Sequence, residues 1–339
     1  MGLRVVITGV CSTLADAVLE KLVQDPSIEK IIGIDIQRYS GPYVSDIDFF
    51  KVDIRDADGV EALLKDCNLL IHMAFVVVSN VPKRSEIDDI NINGSKNVFE
   101  CAARCGIKKI IYTSSVAAYG MTKESPEIHT EESEKLGIRQ KNFYYAYTKA
   151  SVELYLDQFE QAHPEIAIAR IRPHIISGPH FLARTTNLNM YVGQLLSSSK
   201  NYWSLKSLNF SSTNAGVIQL TAEQDIVAFM QYIIHNPVKG AFNLVGDPMN
   251  LEEYARSLGK EIKRIPWRAA QVFLIIASIF SKRARFGLAW VQGAKYHILI
   301  SSEKIKKLQI PTQTNSLPTA TQQIFDLALE FRKQHVAEI

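Results

Sequence analysis

Six short runs of branched and apolar residues, separated by stretches of helical spacing, set the tightest limit on what this chain can become. They are residues 4–8 (RVVIT), 30–35 (KIIGID), 48–53 (DFFKVD), 68–74 (NLLIHMA), 108–115 (KKIIYTSS) and 166–173 (IAIARIRP). Between them, residues 13–24, 57–66, 91–106 and 145–162 read as helices. The first is stopped by Asp25-Pro26 and the third ends on Gly106 as a C-cap. Most of the strand runs show little apolar–polar alternation, which implies burial on both faces and therefore a parallel, helix-covered sheet. The order predicts an α/β protein with a Rossmann-type doubly wound sheet, whose ligand lies at the carboxyl ends of the strands.

The chain is long for one simple domain, at 339 residues, so a smaller lobe is expected beside the sheet. Residues 1–173 are predicted to bind a dinucleotide, with a returning segment near 217–246. Residues 174–216 and 247–339 would form a discontinuous, mostly C-terminal substrate-binding lobe. A net charge of +3 is too small to argue for nucleic acid. The first ten residues run straight into a strand and lack the order of a signal peptide. Gly2 sits against that strand, which argues against a myristoylation start. Cys11, Cys67, Cys101 and Cys105 are scattered, without metal-type neighbours, and read as reduced thiols of a cytoplasmic protein with no metal. No apolar run reaches the roughly 18 residues that a spanning helix needs.

The loop after the first strand is TGVCSTLA, residues 8–15. A phosphate-cradling loop here normally carries glycines at three positions spaced three apart, and this chain has Gly9, Ser12 and Ala15. Gly9 permits the tight turn. Ser12 puts a β-carbon where backbone should approach a pyrophosphate, although its hydroxyl can donate to a phosphate oxygen. The helix start still supplies free N–H groups and a favourable dipole. Asp35 ends the second strand, placed to accept hydrogen bonds from an adenosine ribose and to repel a 2′-phosphate. Arg38 can offset part of that repulsion, so NADP stays open beside NAD. Asp53 ends the third strand near where an adenine would lie.

Residues 142–150 (NFYYAYTKA) hold three tyrosines before Lys149. Side chains meet across a helix only at three- or four-residue spacing, which pairs Tyr145 with Lys149, turns Tyr147 away and leaves Tyr144 ahead of the helix. An adjacent ammonium favours phenolate, and a phenol so lowered serves as proton donor and acceptor.

In order along the chain, these segments resemble the extended short-chain dehydrogenases/reductases of the NAD-dependent epimerase/dehydratase type. TGVCSTLA resembles the family's glycine loop in degraded form. LIHMAF, NINGSKNVFECAARCG, IIYTSSVAAYG, YAYTK, IRPHIISGP, GAFNLVGD and SSEKIKKLQIP resemble later family segments, over about 300 residues in all. The resemblance implies Tyr145 as catalytic acid/base, Lys149 as its partner and a ligand of the nicotinamide ribose, and Ser115 as the third catalytic residue, with the adjacent Ser114 the alternative. It implies cofactor contacts from Gly9, Ser12, Thr13, Leu14, Asp35, Asp53, Ile54, Met73, Ala74, Tyr145, Lys149 and Pro173. It also implies a homodimer paired through the 91–105 and 145–162 helices.

The departures matter too. Sugar-nucleotide members carry an arginine where this chain has Ile218, in IQLTAEQD (218–225), of which only Asp225 clearly survives. No acidic pair of the dehydratase pattern follows Ser115. Residues 180–216 and 265–300 should build the substrate site. The second of these is rich in Trp267, Phe273, Leu274, Ile275, Ile276, Ile279, Phe280, Phe286 and Trp290, broken by Lys282, Arg283 and Arg285. It reads as a lobe helix with a basic end. The sharper alternative is an apolar substrate pocket or a membrane-surface patch. The expectation is an NAD(P)-dependent oxidoreductase acting at an alcohol or carbonyl carbon of a small, apolar-leaning substrate. The alternatives are a sugar-nucleotide epimerase and a non-catalytic dinucleotide-binding or redox-sensing protein.

Overall fold

The computed structural model describes residues 2–77, 83–184, 187–206, 216–280, 296, 298–311 and 316–335. Its centre is a seven-stranded, all-parallel sheet. In chain order the strands are β1 (Leu3–Thr8), β2 (Ile28–Asp35), β3 (Asp48–Lys51), β4 (Leu69–His72), β5 (Lys109–Thr113), β6 (Ala167–Pro173) and β7 (Gly240–Leu244). The spatial order is β7-β6-β5-β4-β1-β2-β3. The winding reverses between β1 and β4, the crevice where such sheets bind ligands.

Alternation within β1 shows why the run had to be unbroken. Val5 and Ile7 belong to the core on one side of the sheet and Val6 to the core on the other, and all three are completely buried. Helices α1 (Thr13–Leu22) and α5 (Glu223–His235) cover the first side. Helices α2 (Ala57–Leu64), α3 (Ser95–Arg104) and α4 (Tyr144–Ala162) cover the second. Helix α1 stops at Leu22, short of Asp25-Pro26, and Gly106 closes α3 at φ +72°, as a left-handed C-terminal residue should. Six strands were expected. The seventh, β7, pairs in register with β6 from Gly240–Ala169 to Leu244–Pro173.

The lobe has its own apolar core, built from Leu182, Val192, Leu195, Tyr202, Ile218, Leu251, Phe325 and Leu329 among others. A parallel pair, Asn201–Lys206 with Glu261–Pro266, leads into helix α6 (Trp267–Phe280). Phe286, Trp290, Lys282, Arg283 and Arg285 lie outside the described residues, as does part of 180–216.

Candidate active site

Three loops meet at the carboxyl ends of β1, β4 and β5. Gly9 leaves β1 with φ +75°, and a β-carbon there would come within 2.5 Å of the Ala74 backbone nitrogen. Only glycine lets this turn lie against the exit of β4. Ser12 is the N-cap of α1, and its hydroxyl accepts from the Ala15 N–H at 3.3 Å. The residue that replaces the usual glycine therefore stabilises the helix start. Its O–H proton is still available, and the N–H groups of Thr13 and Leu14 belong to the first turn, which has no intrahelical acceptors. Asp35 accepts from the Cys11 N–H (3.1 Å) and the Gln37 N–H (3.0 Å), which tethers the loop to the end of β2. Asp53 is held by Arg55 through side-chain contacts of 3.0 and 2.6 Å, and Arg55 also reaches Asp89. Those bonds hold the Asp53 carboxyl below its ordinary range, against the burial that raises it. Ile54 is buried, with its side chain beneath Gly94. A turn that only glycine fits, a capped helix start and an anchored carboxylate at the end of β2 form a fitting cradle for a dinucleotide.

Behind the cradle lies a buried polar chain that the sequence reading missed. Thr8 Oγ1 lies 2.6 Å from His72 Nδ1, His72 Nε2 lies 2.9 Å from Ser95 Oγ, and Ser95 donates to the Asn91 carbonyl at 2.6 Å. Since Ser95 spends its proton on that carbonyl, His72 must donate through Nε2 and accept from Thr8 through Nδ1. It is a neutral imidazole, its pKa pushed down to about 3 by burial and by the nearby Lys149 charge. The Asn91 amide grips the main chain at Val76, accepting from its N–H (2.7 Å) and donating to its C=O (3.0 Å). Residues Asp89–Gly94 form a π-helical turn that brings this amide to the loop after β4. The NINGS motif was visible in the sequence. What its asparagine holds was not.

Helix α4 delivers the chemistry. It begins at Tyr144, one residue earlier than expected. Tyr145 faces inward and hydrogen-bonds the Ser115 side chain. Ser115 follows β5 by two residues, accepts from the Ala117 N–H at 3.1 Å, and lies 3.5 Å from the carbonyl of Pro173, the last residue of β6. The hydroxyl that meets Tyr145 is thus that of Ser115, the residue favoured by register over Ser114. Tyr147 stacks on Tyr144 at 5.3 Å, on another face of the helix.

Lys149 departs from expectation in one respect. Its ammonium donates to the Thr113 carbonyl (2.8 Å) and sits 3.5 Å from the centre of the Phe75 ring. Phe75 in turn meets Tyr145 edge-on at 5.9 Å. The ammonium is spent on a carbonyl and an aromatic face, and it does not pull the phenol down. Burial instead raises the Tyr145 pKa, opposed in part by Ser115. Burial also pushes Lys149 itself down to about 7, against the upward pull of Glu153. Glu153, one turn further along α4, lies fully buried between Arg170 and Arg172. Met73 and Ala74 complete the site at the exit of β4.

In the second lobe, Ile218 is buried in the lobe core, so no guanidinium stands there. Asp225 accepts from both the N–H and the hydroxyl of Thr319 at 2.7 Å, a role internal to the fold.

Comparison with known proteins agrees with this architecture. Along 92% of its length the chain is 25% identical to an N-acetyl-alpha-D-glucosaminyl-diphospho-ditrans,octacis-undecaprenol 4-epimerase of Escherichia coli O157:H7, covering 87% of that protein. A 3 beta-hydroxysteroid dehydrogenase/Delta 5-->4-isomerase of Vaccinia virus (strain Copenhagen) is 32% identical over 121 residues, 34% of this chain and 35% of that one. Among solved structures, a UDP-glucose-4-epimerase from Stenotrophomonas maltophila with bound NAD and formylated UDP-arabinopyranose superposes with a TM-score of 0.70. It shares 15% identity, over 99% of this chain and 100% of that one. A UDP-N-acetylglucosamine 4-epimerase from Methanobrevibacter ruminantium M1 gives 0.66 at 18% identity, over 100% and 99%. These structural likenesses speak for the fold. Membership rests on the family profile, which matches residues 5–243. The chain belongs to the NAD dependent epimerase/dehydratase family.

Proposed function

We propose that the chain is an NAD-dependent epimerase that works at a ring hydroxyl of a diphosphate-linked sugar. The observation that carries this reading is the contact of Tyr145 with Ser115 beside a buried Lys149, at the mouth of the dinucleotide cradle. In its phenolate form, reached only once the phenol proton has left against the burial that raises its pKa, Tyr145 would take the proton of the substrate hydroxyl, while the Ser115 hydroxyl donates to the same oxygen as it becomes a carbonyl. The chemistry that NAD would supply at this cradle, when bound, is reversible hydride transfer at the carbon bearing that oxygen. Tyr145 would then return the proton to the same oxygen once the centre has been inverted. Lys149 holds the ribose side of the cofactor, for which its ammonium must exchange part of its contact with Thr113 or Phe75.

The named relatives support the sugar substrate better than the small apolar carbonyl expected at first. The full-length Escherichia coli relative is named as a 4-epimerase of a sugar on a diphospho-polyprenol, and several structural neighbours are named as UDP-sugar epimerases. Ile218 argues against the arginine clamp of sugar-nucleotide members, so the carrier beyond the diphosphate need not be a nucleotide. The deciding experiment incubates the holoenzyme with UDP-hexoses, UDP-N-acetylhexosamines and polyprenyl-diphosphate sugars, and follows the sugar by NMR. A new epimer without net nicotinamide reduction supports the proposal. Ketone release with stoichiometric reduction would replace it with a dehydrogenase.

The protein is also proposed to pair as a homodimer through α3 and α4. Tyr155 of α4 bonds Glu100 of α3, which holds the two helices as one surface, and Leu154 is exposed on it. Light scattering is expected to give twice the chain mass at micromolar concentration, and Leu154→Arg to shift it toward the monomer.

A further inference from the structure

Helix α6 is built inside out. Its outward side chains are Val272, Phe273, Ile275, Ile276 and Ile279, with Phe273 68%, Ile279 67%, Val272 56% and Ile276 56% exposed. Trp267 anchors the start of the helix in the core, and the remaining less exposed positions, Ala270, Gln271, Leu274, Ala277 and Ser278, are only half-buried and mostly small or polar. A helix on the surface of a water-soluble protein normally shows the reverse arrangement. Val272, Ile275, Ile276 and Ile279 fall at i, i+3, i+4 and i+7, so they make one continuous stripe, widened by Phe273. Contiguous exposed apolar stripes of this kind mark interaction sites.

Charge narrows what the stripe meets. From residue 262 to residue 302 the sequence has seven lysines and arginines and no aspartate or glutamate, although the whole chain carries only +3. Three of the seven are described. Lys263 and Arg264 lie on the strand entering α6, where they pair with Glu261 and Glu252, and Arg268 is exposed in its first turn. The other four lie outside the described residues and enter only as sequence charge. A second copy of this chain is a poor occupant, because a two-fold contact lays the basic segment on itself. An anionic surface with an apolar interior suits both features. The helix is about 21 Å long, too short to cross a hydrocarbon core of about 30 Å but suited to lying in its interface. Among the described residues no helix is long and apolar enough to span a membrane.

We propose that the outward face of α6 docks in the plane of an anionic phospholipid surface, with Val272, Phe273, Ile275, Ile276 and Ile279 inserted and Arg268 at the headgroups. This holds whether or not the sugar reading does, since attachment is measured without substrate.

The test is co-sedimentation of the full chain with vesicles of phosphatidylglycerol and phosphatidylcholine, and with vesicles of phosphatidylcholine alone. The wild type is expected to partition onto the anionic vesicles and to be released as salt rises. Combining Phe273→Ser, Ile276→Ser and Ile279→Ser should lower partitioning by about a hundredfold or more, with NAD titration and thermal melting unchanged. Should that variant not fold, Arg268→Glu alone should reduce the preference for anionic over neutral vesicles. Wild-type chain that stays in solution with both vesicle types overturns the proposal, as does a triple variant that binds equally well. A dimer that the triple variant splits would put a second copy on the face. A loss of melting temperature in that variant, with no vesicle binding by the wild type, would put the rest of the chain there; either outcome overturns the lipid assignment.

Discussion

Strand β1 and helix α6 are both runs of branched aliphatic residues, and they meet opposite fates. Val5, Val6 and Ile7 are completely buried, whereas Val272, Ile275 and Ile276 face outward. Apolar composition alone does not bury a segment. Burial in β1 follows from its central place in a parallel sheet, where β2 and β4 flank it and helices close both faces. Among the described residues, helix α6 packs chiefly on the strand pair Asn201–Lys206 and Glu261–Pro266. The sheet region should therefore punish small changes, and the outer face of α6 should tolerate them in solution.

The largest expected effect lies where the sheet meets the substrate. Tyr145→Phe should lower turnover by about a hundred- to ten-thousandfold while NAD still binds, because the ring and its packing remain. Tyr147→Phe should stay near wild type. Steady-state assay with parallel fluorescence titration of NAD separates the two. A dead Tyr147→Phe beside an active Tyr145→Phe would break the assignment of the site.

The next effect sets core against surface directly. Glu153 is buried between two guanidiniums. Burial pushes its pKa up, but Arg172 and Arg170 pull it further down, leaving it well below the usual carboxylate range. Its stabilising contribution is thus present above the ordinary glutamate pKa and is lost only as pH falls through the lowered value. Glu153→Ala leaves the buried Arg172 without a carboxylate, while Arg170 keeps Asp157 and Glu160, and should cost about 3–5 kcal/mol. Ile276→Ser on α6 should stay within about 0.5 kcal/mol. Denaturant melts of the two variants sharpen the comparison if they differ this much, and break it if they agree.

Much of this contrast was legible in the sequence. Burial on both faces leaves an unbroken apolar run, so six strands could be read directly. Strand β7 (GAFNL) could not, because its glycine and asparagine spoil the run and its place comes from pairing with β6. Tyr145 and Lys149 were legible because helical spacing is a local rule. The Thr8–His72–Ser95 chain was not, since its links span 64 and 23 residues. Phe75 beside Lys149 was hidden for the same reason. Glu153 had a local signal, one turn beyond Lys149, but its two arginines come from β6.

Smaller effects concern the cofactor. If Asp35, at the end of β2, receives the adenosine ribose, a 2′-phosphate there meets a like charge, so NAD should bind about ten- to a hundredfold more tightly than NADP. Calorimetric titration of both dinucleotides checks this, and equal affinity would assign the compensation to Arg38. The smallest effect is a slope. Burial lowers the Lys149 pKa to about 7, so its ammonium form gives way gradually as pH rises through neutrality. NAD affinity should fall as pH rises through neutrality, by at most about tenfold per unit, and Lys149→Met should flatten the profile. On stability the sign is opposite. The buried charge destabilises below about pH 7, and that penalty eases as pH climbs toward the ordinary lysine range.

The π-helical turn at Asp89–Gly94 has a consequence for how this gene can change length. Such a turn holds more residues than an α-helical one between the same two ends. Deleting a single residue would let the segment relax into ordinary helix between the same ends, but it would shift residues inside the turn around the axis by up to about 100°. Asn91 would swing off Val76, and the loop after β4 would lose its anchor to the helix. Insertions and deletions are the usual currency of divergence between loops. Here a helix interior carries the same sensitivity to length, and drift in this family can alter the residues of that turn far more readily than their number.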